Sequence, residues 1–179
     1  MSAYDVIDFW FNQTSPELWF AQNDAFDERI KQKFGQLHAA ATAGELFEWR
    51  YSAQGRLAEI IVLDQFSRNL YRNQPEAFTH DSMALVLAQE AVQQQLDQQL
   101  EAEQRAFLYM PYMHSESKNI HQTALDLFTA LGNKDNLHFE QLHKDIIDRF
   151  GRFPHRNKVL GRTSTPEEID FLKQPNSSF

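Results

Sequence analysis

The sequence predicts an all-α fold, a single domain built as an antiparallel array of helices, and three observations predict it. Only six Gly and six Pro occur among 179 residues, while Ala, Leu, Gln and Glu abound, a balance that favours helix over sheet. Apolar residues recur at helical spacing, most clearly Phe26, Ile30, Phe34, Leu37 and Ala41. Residues that start and stop helices stand at the ends of these periodic stretches.

Taken in order, Tyr4 to Phe11 reads as a short aromatic helix, and Ser15-Pro16 opens a further turn with Pro at the first helical position. Asn23 caps a helix from about Asp24 to Ala41, with Gly44 near its end. The next helix spans roughly Gln54 to Leu70, its face led by Leu57 and Ile61 and continued by Asp64 and Arg68. Asp81 opens a helix whose Ala84, Leu87, Ala88 and Ala91 suit a closely approaching neighbour. Helix resumes near Glu101 and is expected to be interrupted at Pro111. Ser115 or Ser117 starts a helix carrying Ile120, Ala124, Leu127 and Leu131, stopped by Gly132. A further helix carries Phe139, His143, Ile146 and Phe150, and Gly151 then Pro154 prevent its continuation. Thr165-Pro-Glu-Glu168 is a capping box that opens a short last helix.

No low-complexity linker or charge block interrupts the chain, so one domain over 1–174 with a polar tail at 175–179 is expected. The absence of Cys excludes a disulfide framework, a Cys nucleophile and Cys-bound metal. Met1-Ser-Ala-Tyr-Asp5 lacks the basic start of a signal peptide, so a cytoplasmic location is expected. The longest aliphatic run, Ile60 to Leu63, is far too short to span a bilayer. A net charge of −8 argues against general binding of nucleic acid or of an anionic membrane.

Charge is nevertheless segregated. Arg149 to Arg162 holds five of the 17 Lys and Arg, plus His155, and none of the 25 acids. Arginine presents a planar donor fork suited to phosphate or carboxylate. Phe150 and Phe153 alternate with the arginines and are placed to anchor the loop. An anion site is one reading. The other is a structural one, in which the arginines pair with Asp64, Glu116, Asp145 or Asp148 and tie the loop down.

Two further groups carry potential chemistry. Asp64 and Arg68 stand at i and i+4, either as the floor of a polar pocket or as an internal ion pair; Asn69 follows them. His114 and Glu116 form a candidate acid/base pair, although Ser115 as a helix cap with Glu116 beside the dipole is the simpler reading. There is no His-Glu-x-x-His motif and no phosphate-cradling glycine loop, so no metal and no cofactor are expected. His143, on an apolar face, reads as a core histidine.

Asp8-Phe-Trp-Phe11, Leu63-Asp-Gln-Phe-Ser-Arg-Asn69, Tyr109-Met-Pro-Tyr-Met-His-Ser-Glu116, Asp145-Ile-Ile-Asp-Arg-Phe-Gly-Arg-Phe-Pro-His-Arg-Asn157 and Leu160-Gly-Arg-Thr-Ser-Thr-Pro-Glu-Glu168 together resemble the bacterial domain-of-unknown-function family numbered 924. The resemblance covers nearly the whole chain. It implies a tetratricopeptide-like α-α superhelix, although the repeat consensus is absent, and it implies no reaction. Where this chain has Ser67, a familiar member often has Pro.

The functional expectation is an anionic small molecule held by Arg68, Asn69, Arg149, Arg152, Arg156, Asn157 and Arg162. His155 or His114 would transfer a proton, with Asp64 or Glu116 orienting it. The alternative is a non-catalytic helical module that binds a peptide or a partner protein in a groove.

Overall fold

A computed structural model describes residues 1–178, and among them every regular element is helical. The all-α expectation holds. The described residues cluster into two compact units, 1–72 with 76–111, and 73–75 with 112–178.

The first unit begins with α1 (Ala3–Phe11), where Ser2 and Asp5 form a capping box. Its apolar face buries Val6, Ile7, Phe9 and Trp10. A 3-10 turn at Pro16–Leu18 follows, and α2 (Asp24–Thr42) starts at Asn23, whose side chain accepts the Phe26 amide. α2 buries Phe26, Ile30, Phe34, Leu37, His38 and Ala41, which includes the whole apolar stripe read from the sequence. The rings of α1 and α2 build the core with Phe66. Phe9 and Phe66 each lie 4.8 Å from Phe34, and Trp10 meets Phe66 and Phe107 edge-on at 5.6 Å.

A 3-10 turn at Phe47–Tyr51 leads into α3 (Ala53–Ile61), capped by Ser52. The turn and the helix are so close that a Cβ on Gly55 would stand 1.9 Å from the Trp49 carbonyl oxygen. α3 passes through one π turn, Val62–Phe66, into α4 (Ser67–Leu70). All five residues of the π turn are buried, Asp64 among them. α1 packs on α3, and α2 on α4. α5 (Asp81–Gln93) presents Ala84, Leu87, Ala88 and Ala91 inward and packs on α3, as its small residues suggest.

α6 (Ala102–Met113) differs from the expected interruption: Pro111 lies inside it. Pro111 falls in the last turn, where the helix is already ending, so the missing N–H costs one bond at most.

In the second unit α7 (Lys118–Leu131) and α8 (Lys134–Phe150) pack against each other, separated only by Gly132 and Asn133. They form an αα-hairpin. α8 buries Glu140, His143, Ile146 and Ile147. Phe139, expected on this face, is 48% exposed; the buried stripe runs one position further along and takes Glu140 instead. Gly151 stops α8 with φ at +69°, a value that L side chains rarely adopt, and returns its amide to Ile147. Phe153 then enters a small core with Ile146 and Ile147, against which Phe150 and Phe171 pack. α9 (Pro166–Phe171) opens on the expected Thr165–Glu168 box. In the tail, Ser177 is buried and donates to the Leu172 carbonyl; Phe179 lies outside the described residues.

Candidate functional site

Asp64, Arg68 and Asn69 belong to the first unit. Asp64 is buried, and Arg68 meets its Oδ1 at 3.1 Å and its carbonyl at 2.9 Å. The same guanidinium takes Asp81 in a two-pronged pair at 2.9 and 3.0 Å. Burial works against the charge on Arg68, but Asp64 and Asp81 outweigh it and hold the proton more firmly. Gln65 donates to the other Asp64 oxygen at 2.6 Å. The i, i+4 pair is therefore an internal ion pair, and Asp81 is a partner that the spacing did not suggest. Asn69 donates to Asp27, which also accepts the fork of Arg72 at 2.7 and 2.8 Å.

Close by in the same unit, the imidazole of His38 stands 2.8 Å from Ser67 Oγ, and that hydroxyl donates to the Leu63 carbonyl. With its own proton committed to the carbonyl, Ser67 receives a hydrogen bond from His38. Burial, assisted by His80, lowers the pKa of His38 to about 4, so the ring is neutral near neutrality.

The basic loop belongs to the second unit. Three of its arginines are committed to carboxylates. Arg149 pairs with Glu167 at 2.8 Å on the surface. Arg152 pairs side-on with Glu168 at 2.6 and 2.8 Å, and also reaches the Thr163 carbonyl. Arg162 pairs with Glu116 at 2.6 and 2.9 Å, and reaches Asn157 Oδ1 and the Phe153 carbonyl. Glu116 also accepts the Phe153 amide at 2.7 Å. Burial raises the Glu116 carboxyl, but the Arg162 bonds and that amide hold it below its ordinary value. Glu168 is held lower still, at about 2, chiefly by Arg152, helped by the Thr165 amide and Asn157. The tie-down reading had named Glu116 correctly. Asp145 and Asp148 instead serve Gln141 and Lys144 on their own helix.

The remaining candidates gather around one ring. Arg156 is buried with its guanidinium 4.6 Å from the centre of Phe153. His143 and His155 each lie 5.6 Å from that ring and His121 6.1 Å, while His114 is 6.4 Å from His143. His121 and His143 are buried; His114 and His155 are partly exposed. Nδ1 of His143 faces the Phe139 carbonyl at 2.7 Å and must carry the proton, which leaves the lone pair on Nε2. Burial lowers the pKa of His143 to about 3, so at neutral pH this ring is an uncharged acceptor.

Sequence reading found His114, Glu116, His155 and the arginines of this unit. It missed the role of Phe153, whose ring meets His155 and Arg156, and it missed Glu140. The alternation of Phe150 and Phe153 with arginines was the only local signal. Glu140 had none, because a Glu in mid-helix usually faces solvent.

The family model for a bacterial protein of unknown function (DUF924) matches residues 6–176. A solved structure of a protein of unknown function from Agrobacterium tumefaciens is 39% identical, with 96% of each chain covered and a TM-score of 0.91. Among curated proteins, none matches.

Proposed function

The chain belongs to the bacterial family of unknown function DUF924, and we propose that it binds a small anionic ligand, a phosphate or carboxylate compound, on the imidazole and guanidinium groups around Phe153. One observation carries this reading: His143, His155 and Arg156 converge on a single aromatic ring, with His114 beside His143. Titratable groups that gather in this way, with the pKa of His143 strongly lowered, are a common mark of functional sites. The arginines Arg149, Arg152 and Arg162 serve to build the loop, since each already holds a carboxylate. His114 and His155 are partly exposed and stand beside the buried Arg156, which places them to meet the ligand.

Thermal unfolding with inorganic phosphate and with citrate tests the proposal on wild type, His155→Ala and Arg149→Ala. A ligand at a hundredfold excess over its Kd stabilises by about 2.7 kcal/mol. Wild type and Arg149→Ala should show a concentration-dependent rise in Tm, and His155→Ala should lose it. No rise in wild type, or an equal rise in all three, defeats the proposal.

A further inference from the structure

The second unit also buries an acid that neither the ligand reading nor the ties of the basic loop use. Glu140 on α8 and His121 on α7 are both wholly inaccessible, and Nδ1 of His121 stands 2.8 Å from Oε1 of Glu140. The other ring nitrogen, Nε2, stands 2.8 Å from the Ser115 carbonyl. A carbonyl can only accept, so Nε2 carries a proton. A bare Nδ1 facing a carboxylate at that distance would set lone pair against lone pair, so a second proton lies in the Nδ1–Oε1 contact. Two places exist for it. On His121 it makes an imidazolium and a carboxylate, both buried, with one carboxylate oxygen unsatisfied, since no donor reaches Oε2 of Glu140 among the described residues. On Glu140 it makes a neutral acid and a neutral ring, and Oε2 becomes a carbonyl-type oxygen whose desolvation costs far less.

We infer that Glu140 is a neutral carboxylic acid that donates from Oε1 to His121 Nδ1, so that Ser115, His121 and Glu140 form a proton-holding lock between the 114–117 turn, α7 and α8. From α8, Lys144 acts on Glu140, and His143 and Asp148 each feel His121. From the loop, the Phe153 ring lies against His121, with Arg156 and His155 against the same ring. Burial raises the pKa of Glu140, opposed by the contact with His121 and by the charge on Lys144. The unfolded chain releases this proton at the ordinary value of 4.5, so the stability it lends is complete below 4.5 and is lost as pH rises from there to the folded pKa. Removal of the proton leaves a carboxylate facing the Nδ1 lone pair, and the lock opens. The lock is thus a tie that weakens as pH rises.

The test is side-chain 1H–15N NMR of the full chain at about pH 7, with the ring assigned by comparison with His121→Gln. His121 should show one protonated nitrogen, Nε2, and one lone-pair nitrogen, Nδ1. Glu140→Gln, which mimics the neutral acid, should keep that pattern and lose the steeper fall in Tm that wild type shows as pH rises above 4.5. Two protonated nitrogens in wild type, a proton on Nδ1 alone, or parallel pH profiles for the two proteins would overturn the inference. If Glu140→Gln fails to fold, the wild-type spectrum alone decides. The pair supplies no atom to the proposed ligand contact, so the spectrum and the ligand-induced rise in Tm succeed or fail separately.

Discussion

Arg152 and Glu168 meet side-on, Nε to Oε1 at 2.6 Å and Nη2 to Oε2 at 2.8 Å, while Glu168 also accepts the amide that opens its own helix. One carboxylate therefore caps α9, holds the basic loop through Arg152 and Asn157, and links the two. The loop's charge is spent largely on its own construction, which gives the Phe153 cluster a fixed frame.

Removing Glu168 should release the loop and the last helix together. Glu168→Ala is expected to cost about 2 kcal/mol, between the values for exposed and buried pairs, with a cap lost as well. The depressed pKa sets the pH window. The unfolded chain binds protons more readily than the folded one between about 4.5 and about 2, so the contribution is complete above 4.5 and lost as pH falls to 2. Urea unfolding across that range should show a flatter pH profile for Glu168→Gln than for wild type.

The Asp64–Arg68–Asp81 cluster should behave as a unit. Arg68→Met strands a buried carboxylate and should cost about 3–5 kcal/mol. Asp64→Asn on the same background should recover part of that loss. A double-mutant cycle by urea unfolding measures the coupling, and strict additivity of the two changes would contradict it.

Gly55→Ala places a methyl group against the Trp49 carbonyl oxygen at 1.9 Å. Backbone meets backbone there, so no side chain can move aside. A loss of about 3 kcal/mol is expected, at the upper end for overpacking. The urea midpoint should fall, whereas Gly35→Ala, where a Cβ meets nothing within 4 Å, should leave it unchanged or raised.

Acid should weaken the first unit through His38. Its folded pKa of about 4 lies below the ordinary 6.5, so the unfolded chain takes up the proton first. Stability from this group is complete above 6.5 and is lost as pH falls towards 4. His38→Gln can still donate to Ser67 and cannot titrate. Its Tm should therefore fall less than that of wild type between those two values.

Much of this architecture is legible locally. Asn23 caps α2, Thr165 and Glu168 box α9, and Gly151 ends α8, because each signal acts within one helical turn. Family membership was legible too, from long motifs. The partners of the charged residues were not. Arg162 and Glu116 are 46 positions apart, and Arg68 and Asp81 are 13 apart, so only tertiary packing brings them together. The inward face of α8 was misread for a physical reason. Phe139 looks like a core residue and Glu140 does not, yet Glu140 is the one buried, because His121 waits for it on α7.

The single π turn at Val62–Phe66 has a consequence of its own. Each residue rotates the direction of the next side chain by about 100° along an α-helix, and a π turn inserts one residue's worth of phase. Downstream of it Ser67 reaches His38 and Asn69 reaches Asp27, two separate points on α2. Deleting any one residue from 62–66 would return the helix to an even winding. It would also swing both of those side chains off their targets in one motion, so the extra residue acts as an angular offset that aims two hydrogen bonds at once.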